Sequence, residues 1–231
     1  MDSARFCYAP PSIAPTENRL TARIAGAVLG VSALAELVAI ARHPSAGHGD
    51  LLAAVVALAG PDAAVHAVVI AATAGLMLGL TAWSQRRGTG DITIMAALIA
   101  YALGAVMLVA AATIDGFIVP GIARHGLAAN AQGRTISIEL LSASLIAILA
   151  CTKIALGAIV AAIVLWSAPL VRGRGGERVV AAFGAITVLA TLTILVSPKP
   201  LGPHVLAIAA AAQALWYLSV AALLFAEPTT N

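Results

Sequence analysis

The sequence predicts an all-α, polytopic membrane protein: a six-transmembrane-helix bundle with a short interfacial or re-entrant helix between the first and second spans. Of its 231 residues, 61% are hydrophobic and only 10% are charged, and the mean hydropathy is +1.00. A water-soluble domain carries roughly a quarter charged residues. Soluble enzymes, nucleic-acid-binding modules and disordered regulators are therefore excluded, and the lipid bilayer is the expected surrounding.

Each predicted span is an apolar run of about twenty residues, the length that crosses a bilayer core as a helix. The six runs cover residues 20–41, 61–84, 92–119, 136–170, 179–196 and 203–226. Residues 1–19 and 227–231 are predicted to be cytoplasmic tails, and residues 20–226 a single transmembrane domain. The first run is longer than the apolar part of a signal peptide and is therefore expected to stay as the first span.

A seventh apolar stretch, residues 51–60, is too short to cross a membrane. We therefore predict that it forms the interfacial or re-entrant helix. Pro61 directly follows it and suits the first turn of the second span, where a missing N–H costs nothing.

The distribution of basic residues predicts the orientation, because Lys and Arg accumulate in cytoplasmic loops. The side with more of them carries Arg5, Arg19, Arg23, Arg86, Arg87, Arg172, Arg174 and Arg178. The other side carries Arg42, Arg124, Arg134 and Lys199. Both termini are thus predicted to be cytoplasmic, in an inner or plasma membrane.

Small residues recur within the spans. Gly26 and Gly30, and likewise Gly75 and Gly79, have the four-residue spacing that lets helix backbones approach closely. This spacing is typical of packing within one chain. It also allows a homo-oligomer, or assembly into a larger membrane complex through the same faces.

Ionisable side chains near the ends of the spans are the candidates for function, because charges at membrane depth are costly and usually serve a purpose. On the predicted topology, all five histidines fall in the outer third of the spans or in the outer loops. Carboxylates accompany them there, and Asp62 and His66 are four residues apart on one helix face.

Imidazole and carboxylate groups together bind zinc, iron, nickel and copper(II). We therefore predict a transition-metal site, zinc, iron or copper, on the outer side. The predicted ligands are His66, Asp115, Glu139 and His204, with His43 next. A haem b held by His66 and His204 is the alternative cofactor.

Two ionisable residues, Glu36 and Lys153, are predicted to lie deeper, at comparable depth in the bilayer. A buried ion pair between them is the natural expectation. The pair either fixes the register of the helices or relays protons or substrate, and the structural role is favoured.

The segment at residues 43–53 resembles the HPxxGxDHLLA signature of the HupE/UreJ nickel-associated membrane proteins. Gly49 and Asp50 stand where that signature has an Asp-His pair, and no second motif matches. The resemblance covers eleven residues. It favours a metal-related role and does not assign the chain to that family.

Four functions stay open from the sequence. The first is an outer-side metal-binding membrane protein, either a metal-dependent enzyme or a metal permease. The others are a haem b subunit, a non-catalytic accessory subunit of a larger complex, and a small-molecule transporter. The polar-poor inner halves of the spans weigh against transport. Phosphate-binding loops, nucleophile motifs and the HExxH motif are missing from the sequence.

Overall fold

A computed structural model describes residues 15–44, 49–197 and 201–226, and this part of the chain is helical. The helices are α1 (Pro15–Ala41), α2 (Leu51–Arg87), α3 (Ile92–Thr113), α4 (Val119–Ala128), α5 (Ala131–Ser167), α6 (Gly176–Val196) and α7 (Pro203–Ala226). A π-helical turn, Ile114–Ile118, joins α3 to α4, and a 3₁₀ turn, Pro169–Arg172, follows α5.

By length and composition, six helices of this fold are able to span a membrane, with α3, the π turn and α4 forming one continuous rod. The predicted all-α, six-span bundle is confirmed. Two rods of 37 residues and a third of 42 are each more than about 50 Å long, well beyond a hydrocarbon core of about 30 Å.

The predicted interfacial helix at residues 51–60 is wrong as a separate element. These residues form the first turns of α2, which continues through Pro61 to Arg87. Proline removes one backbone hydrogen bond, and the helix continues through it. Pro61 therefore lies inside the helix and not at its start.

Side-chain caps explain where three helices begin. The Asp50 carboxylate accepts hydrogen bonds from the backbone N–H groups of Leu52 and Ala53. In the same way Asp91 caps α3 and Asn130 caps α5. Each cap satisfies a backbone donor that has no partner inside its own helix.

Asp50 also forms an ion pair with Arg134 of α5, which ties the start of α2 to a neighbouring helix. The guanidinium, together with the capping N–H groups, lowers the pKa of Asp50 below its ordinary value of 3.8. A lowered pKa in the folded state means that the ionised form stabilises the fold.

We expect Asp50→Ala to unfold at a lower temperature than the wild type near neutral pH. This difference is present above about pH 3.8 and disappears as the pH falls through the lower pKa of the folded state. Thermal unfolding of both proteins between pH 7 and pH 2 measures it. A difference in unfolding temperature that persists unchanged at pH 2 contradicts the electrostatic role of Asp50.

The six spans close into a ring. Each packs against its neighbours along the chain, in the order α1, α2, α3, α5, α6 and α7, and α7 packs back on α1. Gly26 and Gly30 allow α7 to approach α1, and Gly75 and Gly79 allow α1 to approach α2. Both small-residue motifs therefore pack within the chain.

The two ends of the ring differ in composition. One end, here called the arginine end, carries Arg87 of α2, whose guanidinium donates two hydrogen bonds of 2.9 Å to Glu177 of α6. Directly above it lies a cluster of fully buried aromatic side chains, here called the aromatic cluster: Trp83, Tyr101, Trp166, Trp216 and Tyr217. This cluster fills the arginine half of the ring.

The opposite end, here called the histidine end, carries His43 and the start of α2. There α4 packs against the first half of α2 and of α5. Leu52, Ala123 and Leu141 form a small core of their own between these helices. This extra layer covers one side of the polar residues described next.

Candidate metal centre

Two imidazoles and two carboxylates converge at the histidine end of the ring. One ligand atom from each of His43, Asp62 and His66 lies within 4.8 Å of the others. Asp115 adds a fourth group: its Oδ2 is 3.4 Å from Nε2 of His66 and 3.8 Å from Nε2 of His43. Three of these side chains are half-buried and His66 is buried.

Local structure positions each member of the cluster. Asp62 and His66 are four residues apart on α2 and therefore share one face of that helix. His43 directly follows the last turn of α1. Asp115 lies in the π turn, an irregularity that occurs frequently at functional sites.

The hydrogen bonds of the two imidazoles fix their tautomers. Nδ1 of His66 lies 2.9 Å from the backbone oxygen of Asp62, and Nδ1 of His43 lies 2.8 Å from that of Pro44. A carbonyl oxygen only accepts hydrogen bonds, so both Nδ1 atoms carry the proton. In the neutral rings each Nε2 then presents its lone pair to the carboxylates.

Lone pairs that face carboxylate oxygens repel each other unless a positive charge lies between them. Nε2 of His43 is 3.5 Å from Oδ1 of Asp62, and Nε2 of His66 is 3.4 Å from Oδ2 of Asp115. Ligands of a tetrahedral zinc at 2.0–2.1 Å are separated by about 3.4 Å. The separations of these two pairs and the donor types fit a divalent transition metal, whereas the contact of Asp62 with His66 is to Nδ1, at 3.4 Å.

The charges around His43 favour a positive charge at this position. The Asp115 carboxylate raises the pKa of His43 above 6.5, with further contributions from the Pro44 carbonyl and Asp62, and it does so against the opposing effect of burial. A proton or a metal ion on the imidazole is stabilised for the same electrostatic reason.

Gly116 permits the close approach of the π turn to His66. A Cβ atom at position 116 would lie 2.6 Å from Cβ and 2.8 Å from Cγ of His66. Neither atom is the end of a flexible side chain, so any larger residue pushes α2 and the π turn apart.

We expect Gly116→Ala to lower the free energy of unfolding by roughly 1–3 kcal/mol, the usual cost of overpacking, and to weaken metal binding. Gly121→Ala is the matched control, because no atom lies within 4 Å of its added methyl group. Chemical unfolding and metal titration of both variants measure the effects. Equal behaviour of the two variants contradicts the role given to Gly116.

A cavity of about 270 Å³ extends from the cluster into the middle of the ring. His43, His66 and Asp115 line it at the histidine end, and Gln213 of α7 lines it further in. Most of the remaining wall is aliphatic. The cluster thus faces both the end of the bundle and an apolar interior.

Not all of the predicted ligands take part in the cluster. The structure brings together His43, His66 and Asp115, whereas Glu139 and His204 are exposed at the surface. The buried ion pair predicted between Glu36 and Lys153 is not formed. Glu36 is buried and lines the cavity, but Lys153 points out of the ring and is exposed.

Asp62 is the member of the cluster that is missing from the predicted ligand set. Its four-residue spacing to His66 is the signal for it in the sequence. His48 lies outside the described residues.

Comparison with protein-family models, with curated proteins and with solved structures finds no match to this chain. The function therefore rests on the geometry of the site.

Proposed function

We propose that this chain is a metal-dependent membrane enzyme whose divalent transition metal is held by His43, Asp62 and His66. The observation that carries the proposal is the orientation of the two imidazoles. Both donate Nδ1–H to a backbone carbonyl and direct Nε2 at carboxylates. Metal-bound histidines are almost always held by a hydrogen bond at their other ring nitrogen.

Zinc and iron are the metals that best match the donor set. Two histidines and one carboxylate leave at least one position open, which is the pattern of catalytic sites rather than of closed structural ones. A metal held there would polarise a carbonyl group and make water a better nucleophile near neutral pH.

In this arrangement Asp115 is the natural general base. It is the fourth member of the cluster and lies within 4 Å of both imidazoles, so its free oxygen is able to accept a proton from a reacting molecule. Its position on the cavity wall places that molecule against the apolar interior. Hydrolysis of an ester or amide is the reaction class that these groups support.

Haem b is less well supported. The rings of His43 and His66 meet edge to face with their centroids 5.1 Å apart, which leaves no room for a porphyrin between them. His204, the other predicted axial ligand, is exposed on α7. Transport is also less well supported, since the aromatic cluster fills the ring below the cavity.

The membrane orientation is part of the proposal. The arginine end carries Arg86, Arg87, Arg172, Arg174 and Arg178. By the positive-inside rule this end faces the cytoplasm. The metal site then opens to the outer side, and both ends of the described chain, Pro15 and Ala226, are cytoplasmic.

Elemental analysis of the detergent-purified protein tests the proposal, with an absorption spectrum of the same sample. We expect about one equivalent of zinc or iron and no Soret band. Adding metal to chelator-treated protein should stabilise it by about 2.7 kcal/mol at a hundred times the dissociation constant. A protein that neither contains metal nor is stabilised by it contradicts the proposal.

A further inference from the structure

Three polar side chains line the cavity beyond the metal cluster: Glu36, Thr152 and Gln213. Glu36 of α1 is 7% exposed and Gln213 of α7 is 5% exposed. Nε2 of Gln213 is buried without a hydrogen-bond acceptor. Among the described residues, no hydrogen bond or ion pair reaches the Glu36 carboxyl group.

Such groups are expensive to bury without partners, because they lose their hydrogen bonds to water. Apart from Thr152 the wall around them is aliphatic, and it contains no lysine or arginine that could pair with Glu36. The metal cluster does not serve them, because Glu36 lies seven residues before His43 on the α1 side, about 10 Å along a helix. A molecule inside the cavity is the remaining source of partners.

The cavity is long enough to hold an alkyl chain. On α5 alone its wall runs from Leu145 to Ile159, fourteen residues or about 21 Å along the helix. Aliphatic side chains from five helices or their connections make up most of this wall.

A side opening of the first cavity lies between α2 and α5. A second cavity of about 180 Å³ shares Asp115, Leu145 and Ile148 with the first. Its outer wall includes Leu51, which is 50% exposed. A small molecule is therefore able to reach the first cavity sideways, between two helices.

We propose that the cavity binds a neutral single-chain amphiphile, with a hydroxyl or amide group placed between Glu36 and Gln213. Such a group both donates and accepts a hydrogen bond. It satisfies the carboxyl oxygen of Glu36 and the N–H of Gln213 at once, and the apolar chain fills the aliphatic remainder. A plain hydrocarbon would leave both side chains unpaired.

This site lies deeper than the metal cluster and is separate from it. This inference concerns the class of molecule that reaches the proposed enzyme. Binding at Glu36 and Gln213 does not need the metal. Measurements on chelator-treated and metal-loaded protein therefore distinguish failure of this inference from failure of the proposed function.

The protein carries its own reporter for the test. Trp216 is fully buried and lies one helical turn beyond Gln213 on α7, shielded from bulk lipid. Bromine quenches tryptophan fluorescence only at short range. We would titrate 2-bromoundecan-1-ol, whose bromine is next to its hydroxyl group, into the full chain in lipid nanodiscs and follow quenching, with 1-bromoundecane and 2-bromoundecylammonium as comparison probes.

We expect saturable quenching by the alcohol in both chelator-treated and metal-loaded protein. Gln213→Leu should weaken the binding roughly threefold to tenfold, the value of one hydrogen bond. Ala209→Phe blocks the cavity, since Ala209 is 1% exposed and lines it. Ile208→Phe on the same helix is the matched control, because Ile208 is 61% exposed and should leave the binding unchanged.

Three results would overturn the inference. The first is quenching that does not saturate and is equal in the wild type and all variants, because such quenching reports only partitioning of the probe into the bilayer. The second is equal affinity for bromoundecane and the alcohol. The third is tighter binding of the ammonium probe, which makes the ligand a cation. If Ala209→Phe fails to fold, Gln213→Leu alone decides.

Discussion

We expect the His66→Ala variant to lose its metal, with an affinity at least about a hundredfold lower than that of the wild type. Loss of a residue that merely orients a ligand already costs 10-fold to 100-fold, and His66 is a direct ligand in the proposed site. The side chain is 6% exposed, and its Nε2 is 3.4 Å from Asp115. Metal content and competitive titration with a chromophoric chelator measure the change.

His204→Ala is the matched control. His204 is exposed at the start of α7, and it is not among the residues that line the cavity. We expect this variant to keep the full metal content. Metal that is retained without His66 and lost without His204 would mean that the ligand set is wrong.

The largest expected effect on stability is that of Trp166→Ala, a loss of roughly 3–5 kcal/mol in the free energy of unfolding. Trp166 is fully buried. It stacks on Trp216 at 5.8 Å, and its indole N–H donates a hydrogen bond of 3.1 Å to Ser84. In a bilayer, packing and hydrogen bonds supply the stability of a bundle, and this side chain contributes both.

Val164→Ala on the same helix serves as the comparison, because Val164 is 45% exposed. We expect a change within about 0.5 kcal/mol. Reversible unfolding in mixed micelles, followed by the remaining tryptophan fluorescence, measures both variants. A loss below about 1 kcal/mol for Trp166→Ala would show that the aromatic cluster is not the main core.

The sequence predicts the number of spans because apolar length alone decides what can cross a membrane. It does not predict how far each helix continues past the hydrocarbon core. Residues 51–60 illustrate this: too short to span alone, they continue directly into α2. The Asp50 cap, which the sequence also contains, marks the true start of that helix.

The rotation of each helix about its axis is the part that the sequence leaves open. In a soluble protein the polar face of a helix identifies the side away from the core. Here nearly all faces of the helices are apolar. The sequence therefore indicates the depth of a residue in the membrane but not the direction in which its side chain points. Lys153 and Glu36 were expected at one depth, yet Lys153 points outward and Glu36 inward.

The same limitation explains why only some of the predicted ligands belong to the cluster. Asp115 and His66 were expected near each other, and the structure brings them together. Glu139 and His204 are exposed on their helices. Asp62 and His66 lie on the same helix, so their proximity does not depend on how the helices are rotated relative to one another. Their four-residue spacing therefore predicts directly that the two side chains are neighbours.

The closed ring has a consequence for biosynthesis. All three residues that could hold a metal, His43, Asp62 and His66, precede α3, so they are present once α1 and α2 have been synthesised. The cavity wall that contains Gln213 belongs to α7, which is synthesised after the other described helices. The cluster is therefore complete early, but the cavity beside it is enclosed only once α7 has packed against α1.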